Sequence, residues 1–159
     1  MVLLGQRARL SCIGLLALLL VGPAQADAVI DGNTLEIRGE RVRLFGIAAF
    51  ELAQTCLDVR GEPWRCGVEA KAALADLVQD HPVACRVMVD DPDGGYVARC
   101  RVRDDIDLGG YMVSLGLALA ERRASDDYVD EEAAAQSEGK GVWPGIFIPP
   151  WEWQRLFTK

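Results

Sequence analysis

This chain of 159 residues is short of the groups on which several common chemistries depend. It has one histidine, His81, placed before Pro82 where a helix-like run ends, so a capping role fits it and ordinary Ser-His or Cys-His catalysis is excluded. No glycine-rich phosphate loop is present. Positive charge is scarce: 17 Lys and Arg stand against 24 Asp and Glu, a net charge of −7. Nucleic-acid binders draw most of their affinity from basic faces, so this balance argues against a strong one, although a local basic groove is compatible with it. Internal repeats and low-complexity linkers are absent as well.

Long apolar runs are also missing, with one exception. Leu10–Val21 follows Arg7 and Arg9 and precedes Gly22-Pro23-Ala24-Gln25-Ala26. A basic start, a short apolar core and an Ala-x-Ala ending mark a cleavable secretory signal. The run is shorter than the ~20 residues a spanning helix needs, so no permanent membrane anchor is expected. Cys12 opens the run rather than closing it, which does not suit lipoprotein attachment. We expect residues 1–26 to be a bacterial signal peptide, cleaved after Ala26, and the protein to be periplasmic or extracellular. Cleavage would leave 15 basic and 24 acidic residues, a net −9, in a chain sized for one domain with one core.

Cys56, Cys66, Cys85 and Cys100 remain after that cut. None has the two-to-four-residue spacing of zinc ligands, and the compartment is oxidising, so two disulfides are expected in preference to a metal or free thiols. Cys56 and Cys66 would close a short polar loop. Cys85 and Cys100 fall in two strand-like runs, Pro82–Val89 and Tyr96–Arg103, joined by the turn Asp90-Asp91-Pro92-Asp93-Gly94-Gly95. Alternation puts Val83, Cys85 and Val87 on one face and Ala98, Cys100 and Val102 on one face, so a cross-strand bond is natural. Arg99, Arg101 and Arg103 fall on the opposite face, as a solvated outer stripe.

Along the chain, Ala28–Ile37 and Arg41–Ile47 read as strands around an Arg38-Gly39-Glu40 turn. Cys66–Asp80 reads as a helix burying Ala70, Leu74, Leu77 and Val78. Asp107 caps a second helix carrying Leu108, Met112, Leu115 and Leu119, and a third starts near Asp126 or Asp127 and stops at Gly139-Lys140-Gly141. From Pro144 on the chain is apolar and proline-rich. Residues 144–159 are expected to lie as an extended strap burying Phe147, Trp151 and Trp153, the sharper alternative being an exposed aromatic patch for bases, sugars or a partner.

The run Asp31-Gly32-Asn33-Thr34, then Arg43-Leu44-Phe45-Gly46-Ile47-Ala48-Ala49-Phe50-Glu51, resembles the opening of the staphylococcal nuclease (thermonuclease) family. The family's usual text is Asp-Gly-Asp-Thr followed by Arg-Leu-x-Gly-Ile-Asp-Ala-Pro-Glu. Val97-Ala98-Arg99-Cys100, Asp107-Leu108-Gly109, Leu115-Gly116-Leu117-Ala118 and Lys140-Gly141-Val142-Trp143 extend the similarity over residues 27–143. It implies an α+β fold: a five-stranded barrel of the oligonucleotide/oligosaccharide-binding type with three packed helices. It also implies that Arg43 contacts phosphate and that Glu51 activates water.

Three positions depart from that pattern. Asn33 and Ala48 stand where the family places its two calcium-binding aspartates, and Gly95 stands where it places its second arginine. Asn33 offers an uncharged oxygen and Ala48 none, whereas calcium depends on carboxylates. No metal is therefore expected, Asp31 and Asn33 being weak candidates, and the acidic turn at Asp90, Asp91 and Asp93 reads as a plain solvated turn rather than a rebuilt site. The expected function is a monomeric binding or accessory module that has lost calcium-dependent phosphodiesterase activity. An oligosaccharide or oligonucleotide would lie in its barrel groove, the acidic charge favouring the former. The alternatives are a calcium-dependent endonuclease acting on DNA or RNA through a weak or relocated metal site, and a structural partner protein using Trp151 and Trp153.

Overall fold

A computed structural model describes residues 26, 28–103 and 105–157. The expected signal peptide lies outside the described residues apart from Ala26. Five strands build the main sheet: β1 (Ala28–Asp31), β2 (Thr34–Ile37), β3 (Glu40–Leu44), β7 (Ala84–Asp90) and β8 (Tyr96–Val102), in the order β1-β2-β3-β8-β7. All neighbours are antiparallel except β3 and β8, which run parallel, and β9 (Ile106–Asp107) adds to β8. Two short ladders stand apart: β4 (Ile47–Ala49) with β10 (Ala118–Ala120), and β5 (Cys56–Leu57) with β6 (Pro63–Trp64). Helices α1 (Cys66–Val78), α2 (Leu108–Ser114), α3 (Val129–Ser137) and α4 (Pro150–Phe157) complete the α+β, barrel-type arrangement. Among the described residues no helix is long and apolar enough to cross a membrane.

The expected single strand over Ala28–Ile37 is two strands. Asp31 Oδ1 accepts the Asn33 N–H at 2.9 Å, and this side-chain turn reverses the chain at Gly32-Asn33. The next reversal is tighter than expected. Arg38 and Gly39 both have positive φ and Glu40 already pairs with Ile37, giving a two-residue hairpin loop whose twist matches its strands.

Helix α1 buries the four residues its period indicated. Helix α2 begins where Asp107 Oδ1 accepts the Gly110 N–H at 2.9 Å, but it stops at Ser114 instead of running to Leu119. Gly116 takes a left-handed φ of 65°, so its N–H reaches Val113 O and that of Leu117 reaches Met112 O, which closes the helix end. Leu119 is released into β10. Gly139 ends α3 in the same way, as expected.

The tail is not an extended strap throughout. Pro150 opens α4, at the one helical position where a missing N–H costs nothing. Phe147 is partly buried, packing edge-on to Phe50 and Trp143, but Trp151 is exposed and Trp153 only half-buried. The segment is docked through Leu57, whose N–H and C=O both bond Ile146.

Both disulfides pair as expected, 56–66 and 85–100. Cys56 and Cys66 are fully buried in a small core with Phe50, Leu119 and Val142. The larger core lies between the sheet, α1 and α2, around Leu35, Leu74, Ala98, Leu108 and Met112. On β7 the face shared by Val83, Cys85 and Val87 is not a core face, since Cys85 and Val87 are exposed and only Val83, just before the strand, is buried. That strand is the sheet edge, and only its partner β8 turns Ala98, Cys100 and Val102 to the core.

Candidate functional site

Alternation along β3 places Arg41 and Arg43 on one face, opposite buried Val42 and Leu44. That face borders a cleft of about 220 Å³, to which Asp31, Asn33, Ala48 and Glu51 also contribute. The fold therefore brings together the positions singled out in the sequence, all but Gly95. Residues not singled out for it join them: Arg41, Glu121 at the end of β10, and Trp151 and Gln154 from α4.

Arg43 is already engaged. Its Nε donates to Asp91 Oδ2 at 2.7 Å, and the Asp91 side chain is 1% exposed. This corrects the reading of the acidic turn as solvated for Asp91, whereas Asp90 and Asp93 are exposed as expected. The Arg43 hydrogen bond holds the Asp91 carboxyl below its ordinary pKa against the opposing effect of burial, with help from the Asp93 N–H. No spacing signal in the sequence links positions 43 and 91.

Glu51 sits on a braced loop. Its N–H donates to Oε1 of buried Gln54, whose Nε2 donates to Ile148 O at 2.6 Å. A β-carbon on Gly67, in the first turn of α1, would fall 1.8 Å from Glu51 O, so only glycine admits this approach of helix and loop. Phe50, in place of the family's proline, is buried in the small core, and Glu51 still lines the cleft. The Glu51 carboxylate accepts a hydrogen bond from Gln154 Nε2. Glutamine 154 could not have been found from sequence, since 103 positions separate it from its partner.

The calcium donors implied by the resemblance do not fit. Asp31 Oδ1 is occupied by the Asn33 N–H, Asn33 Oδ1 accepts from the Thr34 hydroxyl, and Ala48 brings no donor. Among the described residues no group of three or more His, Cys, Asp or Glu side chains is gathered to hold a metal ion, the Asp90–Asp93 turn included. Gly95 is closed to a side chain: it has φ 85°, and a β-carbon there would lie 2.1 Å from Arg41 O. Nor do the outer arginines replace it. Arg99 pairs with Asp127 and lies over the Phe45 ring, and Arg101 pairs with Asp105 and Asp107.

Arginines backed by a buried acid, beside one braced glutamate, can hold a polar or anionic group. Asp31, Glu51, Asp93 and Glu121 also border the cleft, but among the described residues no three of them are gathered to hold a metal ion, and the two positions implied as calcium ligands carry no carboxylate.

Comparison with known proteins agrees with the fold. The family described as staphylococcal nuclease homologue matches residues 41–145. The chain is also 38% identical over 120 residues to "Succinoglycan biosynthesis protein ExoI" of Rhizobium meliloti (strain 1021). That alignment covers 73% of this chain and 62% of the relative, so the chain spans less than two thirds of that protein's length.

Proposed function

The chain belongs to the staphylococcal nuclease homologue family, and from that premise we propose that it is an exported binding or accessory module that no longer hydrolyses phosphodiesters with calcium. The observation that carries this reading is the donor set of the cleft: Ala48 supplies no side-chain oxygen, Asn33 supplies only an uncharged one that accepts from Thr34, and one carboxylate oxygen of Asp31 accepts from the Asn33 N–H. When bound, calcium would polarise the phosphate and its attacking water. Losing one preorganised electrostatic contact of that kind costs ~10²–10³ in rate. Such losses do not add, but the loss of two carboxylates and one arginine leaves little turnover.

What remains suits holding a ligand. Arg41 and Arg43 present guanidinium groups from one strand face, and Asp91 fixes the second of them. Glu51, tied to Gln154, is an acceptor at the far wall. The relative's name attaches that protein to succinoglycan biosynthesis. We carry over the setting, polysaccharide assembly, as the place where a non-hydrolytic module of this kind would act. Two disulfides support export, since such bonds persist in oxidising compartments.

The rival reading is a calcium-dependent endonuclease with a relocated metal site, and it draws on the convergence of Arg43 and Glu51. Cleavage of single-stranded DNA and RNA, with calcium and with chelator, separates the two. The unmodified protein should be silent in both, while Asn33→Asp/Ala48→Asp should gain calcium binding by calorimetry. Calcium-dependent cleavage by the unmodified protein would overturn the proposal.

A further inference from the structure

Next to the arginine cleft lies a second and larger cavity, of about 470 Å³, within the range of small-molecule sites. Its walls are aromatic, with Trp143, Phe147 and Trp151, and its floor is Leu119 and Ala120 of β10. The walls are held by packing: Phe147 lies edge-on to Trp143 at 5.4 Å and to Phe50 at 5.5 Å. The rim is charged but balanced. Glu132, itself buried, accepts from the Ala120 N–H and from Arg122, so that guanidinium is already neutralised. Glu121 and Trp151 border both this cavity and the arginine cleft, so the two are adjacent.

We propose that the aromatic cavity is a saccharide subsite, which takes a pyranose ring of an oligosaccharide whose chain continues over Trp151 into the arginine cleft. A pyranose has an apolar C–H face and an equatorial belt of hydroxyls. Aromatic walls match the first, and a carboxylate able to accept from two neighbouring hydroxyls matches the second. Glu121 is half-buried at the junction and has no side-chain hydrogen bond or ion pair among the described residues. A nucleobase could also stack here, with Arg123 on the rim to meet its phosphate, but against that stand Glu121, an Arg122 already paired with Glu132 and a chain of net charge −7. The inference rests on the binding role proposed above and supplies its ligand class.

The test titrates the protein with cellotetraose, laminaritetraose and gentiotetraose, and separately with octathymidylate, by tryptophan fluorescence and calorimetry. At least one tetrasaccharide should bind with a Kd near or below about 1 mM. Trp151→Ala should weaken that binding about tenfold, and Glu121→Gln severalfold. Trp151 is 38% exposed, so its removal leaves the Phe50–Phe147–Trp143 packing in place, which a thermal melt checks. Octathymidylate should not displace the sugar. The proposal is overturned if no tetrasaccharide binds, if binding ignores both substitutions, or if octathymidylate competes through Trp151. Calcium-dependent nuclease activity of the same preparation would sink the non-hydrolytic reading and leave the sugar titration to stand by itself.

Discussion

Arg43 and Asp91 form an ion pair with unequal surroundings: the guanidinium side chain is 37% exposed and the carboxylate 1%. Solvent screens one partner while the other depends on the pair. Asp91→Asn should therefore cost about 1–2 kcal/mol at neutral pH, below the value for a fully buried pair. The pH dependence follows from the lowered pKa of Asp91, caused first by the Arg43 hydrogen bond. A carboxyl with a depressed folded pKa contributes fully above its unfolded value, here 3.8, and loses that contribution as pH falls through the folded value. Urea melts of the two proteins should differ by a constant amount above about pH 5 and draw together as the pH falls below about 4 toward the lowered folded value. A difference that persists unchanged to pH 2 would contradict the pairing.

Glu132 joins α3 to β10 through the Ala120 N–H at 2.9 Å and Arg122 at 2.6 Å. Glu132→Ala strands a buried backbone donor and should destabilise by about 2–3 kcal/mol. Glu132→Gln keeps an acceptor for the N–H and should cost roughly half as much. Equal losses for the two variants would show that the backbone contact carries no weight.

Position 95 should refuse every side chain. Gly95→Ala puts a β-carbon against Arg41 O and should cost more than about 2 kcal/mol, or prevent folding. Gly94 is the control: it too has positive φ, 97°, but nothing lies within 4 Å of its β-carbon position. Gly94→Ala should cost only about 1 kcal/mol. Comparable melts for both would mean that β3 and the turn can separate freely.

The two disulfides should open in sequence under mild reductant. Cys85 is on the exposed edge strand, while Cys56 and Cys66 are 1% and 0% exposed. Alkylation and mass spectrometry should find 85–100 reduced first. Removing either bond should lower stability by about 3 kcal/mol from loop entropy. Labelling of Cys56 before Cys85 would contradict the exposure order.

What the sequence made legible was local. The Asp107 cap, the Gly139 stop, the period of α1 and the opposed cysteines of two adjacent strands all depend on neighbours within about a turn or a hairpin. The family frame placed Asn33, Arg43, Ala48 and Glu51 in one cleft because β2, β3 and β4 follow each other directly. The illegible parts join distant segments: Arg43 to Asp91, Glu51 to Gln154, Gln54 to Ile148. Such pairs leave no periodic trace. The tail misled for a different reason. Its prolines read as an extended path, but a proline can equally begin a helix, and the residues after Pro150 decide which.

The bracing of Glu51 by Ile148, through Gln54, and by Gln154 has a consequence for the order in which the molecule can be made. A ribosome builds residue 51 almost a hundred positions before the residues that steady it. During that interval the sheet and α1 can form, but the loop bearing Glu51 lacks its backing. The ligand-holding surface is thus the last part to mature, and a nascent chain has its scaffold well before it has a working cleft.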